Sequence, residues 1–180
     1  MDYDPLRYPI GKFQPPALPL DDEMRQRLIG ELERAPAGVR ALVAPLTGAL
    51  LDTPYRPGGW TVRQVVHHLP DSHLNGYVRM KLAATEATPA IKVYQESLWA
   101  ELPEARSGPV EMSLDLLDAL HRRWVMFLRQ LPAQDFQRTF MHPSWGTPTI
   151  DYALAIYAWH SRHHTAHIKQ ALAGPSVTVP

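Results

Sequence analysis

Histidine is the residue type with which this chain could most readily do chemistry. Seven of its nine histidines lie in two short segments, 67–73 and 160–167. In the second segment His160 and His164 are four residues apart, so on a helix they share one face with their Cβ atoms about 5–6 Å apart. Two imidazoles at that spacing can bind one divalent metal ion, and such an ion acidifies a bound water or thiol.

The histidines of the second segment are expected to face a protein core. Ala153, Ile156 and Tyr157 fall on the same helical face as His160 and His164. A lone histidine on an apolar face is more often a hydrogen-bonded core residue than a metal ligand. Four histidines within eight residues are harder to explain in that way, because each buried imidazole needs partners for both nitrogens. The pattern therefore favours a metal site.

A catalytic site of this kind needs a third protein ligand and an open coordination position. His67, His68 and His73 are the candidates, provided that their helix is a neighbour of the last helix. Helical phase places His73 inside an apolar stripe and His67 at its edge, which favours His73 slightly, and it places His68 on the polar face as a solvated residue. Pro70 is expected to kink this helix, so phase alone does not decide between His67 and His73. His163 and His167 flank the pair on the last helix and could add a fourth ligand.

Two helix starts that would position these histidines are clearly marked. Thr61 and Gln64 form a T-x-x-Q capping box, which predicts a helix beginning directly after Thr61. Thr149 precedes the last long helix, which carries the second histidine segment and is predicted to end at Gly174, a residue favoured just after helix ends. The two histidine segments therefore lie on two separate helices.

Two further helices complete the predicted architecture. One is predicted from Asp21 to about Pro36, with a short helical piece after it, and another from a Ser113 cap to Pro132. Residues 87–112 contain three prolines and no sustained period, which indicates a long connection. Because no alternating strand pattern competes with these helices, we expect an all-α protein, an antiparallel four-helix bundle.

The expected organisation is one domain with an arm. Residues 1–20 are rich in proline and are predicted to form an extended N-terminal arm, residues 21–174 to form a single helical-bundle metal-binding domain, and residues 175–180 to form a tail. The first residues lack the basic start and unbroken apolar run of a secretory signal, and no window reaches the roughly 20 apolar residues of a membrane span. A cytoplasmic protein is the expectation.

Charge and cysteine content exclude several functional classes. The 18 basic residues are balanced by 18 acidic residues, so no field of one sign is available to bind nucleic acid or an anionic membrane. The chain has no cysteine, which excludes disulfides, thiolate metal sites and a cysteine nucleophile. Any metal must be bound through nitrogen and oxygen.

Three segments resemble a known family, namely YRPGGWTVRQVVHHLPDSH, KLAATEATPAIKVY and WHSRHHTAHI. They are similar to the YfiT family of candidate metal-dependent hydrolases, within the DinB-like superfamily that includes the bacillithiol transferases. The resemblance covers nearly the whole chain. It implies that the metal ligands are the first histidine of H-H-L and two histidines of W-H-S-x-H-H, which correspond to His67, His160 and His164. Pro70 departs from the alanine of the family.

The resemblance also implies a function. It predicts a hydrolase in which one divalent ion per subunit, zinc first and nickel second, activates water against a small-molecule substrate. The bacillithiol-transferase relatives imply an alternative, an S-transferase that activates a low-molecular-weight thiol, and a non-catalytic metal-binding module is an alternative of another class. No HExxH glutamate lies between the histidines, so no catalytic acid or base is assigned. The arm and the dimers of the family predict a homodimer.

Overall fold

The structure is a computed structural model that describes residues 4–174, and within them it is all-helical with only isolated β-bridges. The first three residues of the predicted arm and the predicted tail, 175–180, lie outside the described residues. None of the described helices is long and apolar enough to cross a membrane. The long helices are α1 (Asp22–Val43), α3 (Val62–Thr85), α6 (Glu111–Gln130) and α7 (Ile150–Ala173), and the short ones are α2 (Gly48–Leu51), α4 (Glu96–Trp99), α5 (Pro103–Ser107) and a 3-10 turn (Ala133–Gln137).

The four long helices form the predicted bundle. Helix α1 packs against α6 and α7, and α3 packs against the same two helices. Contacts along α3 and α7 run in opposite directions, because His68 lies beside His164 whereas Gly76, further along α3, lies beside the earlier residue Tyr157. These two helices are therefore antiparallel neighbours, and both histidine segments lie on them.

Helices α1 and α6 form the second antiparallel pair, whereas the other two neighbouring pairs are parallel. Along α3 and α6, His67 contacts Ser113 and Met80 contacts Trp124, so residue numbers rise together. A parallel pair cannot be joined by a tight turn, because the chain must return along the length of the bundle. This return explains the long connection of residues 86–110, which contains α4 and α5.

The predicted helix caps at both histidine helices are confirmed. The Thr61 side chain accepts a hydrogen bond from the backbone N–H of Gln64, and the Gln64 side chain accepts one from the backbone N–H of Thr61. Thr149 caps α7 by accepting from the N–H of Tyr152, and α7 ends at Gly174, which has a positive φ of 74°. Local sequence therefore fixes where both histidine helices begin.

Two predicted helix boundaries are wrong, and so is the prediction of a connection without helices. Helix α1 does not stop near Pro36 but continues through it to Val43, so that only the short α2 remains of the separate second piece. Helix α6 begins at Glu111 after Val110, and the predicted cap Ser113 lies inside its first turn with its hydroxyl bonded to His67. The connection of residues 87–112 is interrupted by α4 and α5. Pro36 is buried within α1, and the Leu32 carbonyl that its missing N–H leaves without a helical partner accepts a hydrogen bond from Nδ1 of His121.

The described part of the N-terminal arm lies on helix α7 of its own chain. The amide of Gln170 donates to the carbonyl of Leu6 at 3.0 Å, and the backbone N–H of Leu20 donates to Asp151 at 3.0 Å. Asp151 is fully buried and also binds the guanidinium of Arg25 at 3.0 Å. The arm is thereby attached to the bundle at both of its ends.

Gly76 allows α3 and α7 to approach closely beside the histidine segments. A Cβ atom at this position would lie 2.4 Å from Cζ of the Tyr157 ring, well inside van der Waals contact. The Tyr157 ring is itself buried, so it has little room to move away. Glycine at position 76 therefore sets the separation of the two helices that bear the site.

Candidate metal centre

Three histidines converge between helices α3 and α7. His68, His160 and His164 each present one ring nitrogen, and these three nitrogens all lie within 4.8 Å of one another. The Nε2 atoms of His68 and His160 are 3.3 Å apart. Two of the converging nitrogens belong to the i, i+4 pair His160 and His164 of α7, and the third belongs to His68 of α3. The site therefore depends on the antiparallel contact of these two helices.

The spacing of these nitrogens fits a shared divalent ion. Zinc–nitrogen bonds of about 2.0–2.1 Å at a tetrahedral angle separate two ligand nitrogens by roughly 3.3–3.4 Å. The His68 to His160 separation agrees with this value. The third nitrogen lies within 4.8 Å of the other two, so the three side chains could hold one ion together.

The structure does not bring His67 into this group. Its Nδ1 lies 2.7 Å from the hydroxyl of Ser113, and its Nε2 lies 3.3 Å from the carbonyl of Gly108. Because a carbonyl only accepts, Nε2–H donates to Gly108 and Nδ1 accepts from Ser113, so both ring nitrogens have partners. His67 faces α6 and the connection, about 100° around the helix from the face that looks toward α7.

His68 was assigned to the solvent by helical phase, and that assignment is wrong. The ring is 7% exposed and lies beside His160 and His164. The stripe containing Gln64 and His68 looks polar in sequence, yet it is buried: α7 packs against His68, and the connection covers Gln64, whose amide donates to the carbonyl of Ala100 at 2.8 Å. Helical phase predicts the polarity of this stripe but not its burial, because the segments that cover it are distant in sequence.

A chain of hydrogen-bonded imidazoles begins at Nδ1 of His160. Nδ1 of His160 lies 3.0 Å from Nε2 of His73, and Nδ1 of His73 lies 2.7 Å from Nε2 of His121. Nδ1 of His121 ends the chain 2.6 Å from the carbonyl oxygen of Leu32. We name the path from His160 through His73 and His121 to Leu32 the imidazole relay.

The carbonyl at its end fixes every tautomer of the imidazole relay. Leu32 can only accept, so Nδ1–H of His121 donates and its Nε2 accepts. In neutral rings the same argument makes His73 and then His160 donate from Nδ1, which leaves the lone pair of His160 on Nε2, toward His68. The Leu32 carbonyl is free because Pro36, four residues later in α1, has no N–H to donate to it.

His164 is supported in the same way from the opposite side. Nδ1 of His164 lies 3.3 Å from Nδ1 of His167, whose Nε2 lies 3.2 Å from the carbonyl oxygen of Arg7 in the arm. His167 therefore donates to the carbonyl and accepts from His164, so His164 also presents Nε2 with its lone pair. Tautomers fixed by a carbonyl or another outer partner are typical of histidines that bind metals.

Electrostatics keep the three converging rings neutral. Burial, together with the charges that His163 and His167 would carry, lowers the pKa of His68 to about 3. Burial holds the pKa values of His160 and His164 well below the usual 6.5, with mutual repulsion between the rings adding to the effect. Neutral imidazoles with free lone pairs bind a cation without first losing a proton.

The three histidines lie at the wall of a cavity of about 680 Å³. Trp60 packs against His68 with ring centroids 4.7 Å apart, and Arg56 lines the cavity near it, so both residues border the site. His163 also lines the cavity, stacked on Trp159 at 4.4 Å. Neither His163 nor His167 belongs to the converging group, so within residues 4–174 no fourth histidine closes the site.

Acid–base groups near the site are few. Asp71, one turn after His67, is half-buried, and burial together with the charge of Glu104 raises its pKa to about 6. It does not line the cavity or hydrogen-bond to a described histidine. The phenols of Tyr94 and Tyr157 do line it, and burial raises the pKa of each, so both stay protonated at neutral pH.

Sequence reasoning missed His121 and left the role of His73 open. His121 lies four residues after Leu117 and three before Trp124, so the apolar stripe of α6 passes through it. A histidine inside such a stripe is a signal for a buried, partnered imidazole. Its partner His73 could not be identified from sequence, because it belongs to another helix.

The comparisons with known proteins agree with this architecture. The DinB superfamily matches residues 31–168. Relatives from Bacillus cereus strain B4264 and from Bacillus anthracis, both named as candidate metal-dependent hydrolases, are 52% and 51% identical over 163 residues, which is 91% of this chain and 93% of theirs.

Solved structures give the same result. YfiT from Bacillus subtilis, described as a candidate metal-dependent hydrolase with an unusual four-helix bundle topology, superposes with a TM-score of 0.91 at 47% identity, covering 94% of this chain and 97% of YfiT. The four-helix bundle protein TT2238 shares the fold alone, with a TM-score of 0.56 at 22% identity over 83% of this chain and 99% of its own. Family match, relatives and structure together show that this chain belongs to the DinB superfamily and is a YfiT-like member of it.

Proposed function

We propose that this protein is a metal-dependent hydrolase whose divalent ion, zinc in the first place and nickel in the second, is bound by Nε2 of His68, His160 and His164. The observation that carries the proposal is the convergence of three neutral imidazoles on the wall of a large cavity. The names of the relatives support the same activity. When bound, the ion acidifies a coordinated water and polarises a carbonyl or phosphoryl oxygen.

The chain's own residues orient the metal ligands and supply hydrogen-bond donors. The imidazole relay and His167 keep the lone pairs of His160 and His164 directed at one point, which fixes ligand geometry before binding. The protonated phenols of Tyr94 and Tyr157 line the same cavity, where they can donate to an oxygen that gains negative charge during hydrolysis. Trp60 packs against His68 at the wall of the cavity.

A purely structural metal site is disfavoured by the ligand count. Structural zinc sites usually have four protein ligands, whereas three histidines converge here and the fourth side faces the cavity. Thiol transfer uses the same three ligands, with a thiol in place of water. We therefore propose hydrolysis first and treat S-transfer, with a thiol such as bacillithiol, as the outcome that an activity screen would separate from it.

The test is a parallel screen of metal-free, zinc-loaded and nickel-loaded protein against esters, amides and electrophiles, with and without low-molecular-weight thiols. We expect hydrolysis without thiol that is lost on adding a chelator and is absent from the His160→Ala variant. Turnover that requires a thiol would instead assign an S-transferase. Metal-loaded protein that is inactive in both screens would favour the non-catalytic module.

His121→Phe is expected to weaken metal binding about 10- to 100-fold while the bundle stays folded, because outer partners of ligating histidines contribute at that level. The variant removes the acceptor that orients His73 and, through it, His160. Competition with a fluorescent zinc chelator measures the affinity. His121→Gln, which can both donate and accept, should recover part of the loss, and His142→Phe, outside the relay, should cause none. Unchanged affinity in His121→Phe would contradict a role for the relay.

The homodimer remains a prediction. This prediction depends in part on the N-terminal arm. The arm makes hydrogen bonds to α7 of its own chain through Leu6 and Arg7. Those contacts are compatible with a dimer but do not require one. Light scattering at micromolar concentration should give twice the monomer mass if the prediction holds, and a monomer would refute it.

A further inference from the structure

Arg79 is a buried cation that has no anionic partner among the residues that the structure describes. Its side chain belongs to α3, lines the same cavity as the three converging histidines, and is 6% exposed. Nη1 donates to the hydroxyl of Tyr157 and Nη2 to the carbonyl of Lys92, both at 3.3 Å. Its Nε is buried without any partner, and no carboxylate within residues 4–174 forms an ion pair with it.

Arg25 shows how this protein otherwise treats a buried guanidinium. Arg25 is 5% exposed, and it forms an ion pair with the buried carboxylate of Asp151. A buried charge without such a partner is strongly destabilising, because desolvation is not offset by a counterion. Arg79 also has five N–H groups, and the described residues accept from two of them, so three of its donors have no described partner.

His142 adds a neutral donor on the same side of the cavity. Its Nδ1 accepts hydrogen bonds from the backbone N–H groups of Ser144 and Trp145, at 3.1 and 3.2 Å. In a neutral ring the proton must therefore be on Nε2, which has no hydrogen-bond partner within residues 4–174, and the ring lines the cavity. Burial and the charge of Arg79 lower the pKa of His142 to about 4, so the ring stays neutral.

Arg79 lies within a short distance of the metal centre. Tyr157, whose hydroxyl binds it, is on α7 one turn before His160, and the two rings have centroids 6.1 Å apart. On its other side Arg79 lies 6.0 Å from the ring centroid of Trp145. A small molecule in the cavity can therefore reach the three histidines with one end and Arg79 with the other.

We propose that Arg79, assisted by Nε2–H of His142, binds a carboxylate of the substrate, so that the substrates of this enzyme are small carboxylate-bearing molecules. The planar guanidinium matches a carboxylate with two parallel hydrogen bonds. Arg7 and Arg56 also line the cavity, against the single acid Glu96, so its charge favours an anionic ligand. This inference rests on the proposed function, because the reacting group is taken to lie at the three histidines.

The probe is a set of metal-binding hydroxamates. Acetohydroxamate is compared with hydroxamates that carry a terminal carboxylate on two to five methylene groups, using zinc-loaded full-length protein and isothermal titration calorimetry. At the best tail length, wild type should bind the carboxylate probe about 10- to 100-fold more tightly than the neutral one, the range expected for hydrogen bonds to a charged group. Arg79→Met should lose this preference and keep its affinity for acetohydroxamate. Arg123→Met, an exposed arginine on α6, is the matched control and should behave as wild type.

The outcomes separate the anion site from the metal centre. A wild type without preference at any tail length, or a preference that survives in Arg79→Met, would overturn the role of Arg79. If Arg79→Met does not fold, Arg79→Lys keeps the charge without the planar fork and should show a reduced preference, whereas an unchanged preference would overturn recognition by the guanidinium. If acetohydroxamate does not bind zinc-loaded wild type, the proposed function fails instead. Glutarate binding to metal-free wild type and not to Arg79→Met would then support the anion site by itself, and no binding would overturn it.

Discussion

His68→Ala is expected to lose its metal, whereas His67→Ala, the change at the neighbouring position, should keep it. Nε2 of His68 lies 3.3 Å from Nε2 of His160, while both nitrogens of His67 are bonded to Ser113 and Gly108. Zinc bound by histidines and thiolates in small domains has a binding free energy on the order of 10 kcal/mol. Removing one of three ligands should therefore lower the affinity by more than about a hundredfold.

The two variants also differ in what they do to folding. His67→Ala leaves the Ser113 hydroxyl and the Gly108 carbonyl without a partner, which should reduce the free energy of unfolding by about 1–3 kcal/mol. His68→Ala should have a smaller effect on the metal-free protein, because no protein group depends on it alone. Metal content by atomic absorption and melting temperature measure the two effects separately. Metal retained by His68→Ala and lost by His67→Ala would restore His67 as the ligand.

Metal-free protein should lose most of its stability between about pH 6.5 and pH 5. All nine histidines have a lowered pKa in the folded state, and burial is the first cause for each. The pKa of a histidine in the unfolded chain is about 6.5. Below that pH the unfolded chain therefore binds more protons than the folded one. Stability is therefore fully present above the unfolded pKa and falls as the pH drops toward the folded values, about 4 for His121 and about 3 for His68.

The expected size of this effect is large. Each fully buried histidine contributes up to about 1.4 kcal/mol per pH unit to the slope, and a domain of this size has a free energy of unfolding of about 5–15 kcal/mol. Asp71 opposes the trend, because its raised pKa favours the folded state as it becomes protonated below about pH 6, but it is a single group. Urea unfolding at pH 8, 7, 6 and 5 measures the slope. His121→Phe should reduce the slope by the equivalent of about one proton. A free energy of unfolding that stays constant from pH 7 to pH 5 would show that the histidine rings are not kept neutral by burial.

Local sequence signals predicted the frame of the site well. The cap at Thr61 and the cap at Thr149 each depend on residues within three positions, so their physics is complete within the segment. The spacing of His160 and His164 placed two imidazoles on one face, and the structure brings them together. The four-helix bundle followed from the count of amphipathic helices, and the resemblance to YfiT-like proteins is confirmed.

The choice of the third histidine depended on information that is not local. His67 and His68 are one residue apart, so the answer depends on which neighbour covers each face of α3. The side of α3 that bears Gln64 and His68 is polar, and it is buried by segments that are distant in sequence, namely α7 over His68 and residues 86–110 over Gln64. The imidazole relay could not be predicted from local sequence either, because its members come from α1, α3, α6 and α7. Pro36 predicts a helix end because its missing N–H can be read from the sequence. The sequence does not reveal that His121 donates to the Leu32 carbonyl, which Pro36 leaves free.

The most direct test of the metal centre is a crystal structure of zinc-loaded protein with diffraction data collected on both sides of the zinc absorption edge. The anomalous signal should give one site per chain, with Nε2 of His68, His160 and His164 at about 2.0–2.1 Å and the remaining position facing the cavity. Zinc bound through His67 after a rotation of α3, or bound away from the three converging histidines, would contradict the proposed site and the hydrolase chemistry assigned to it.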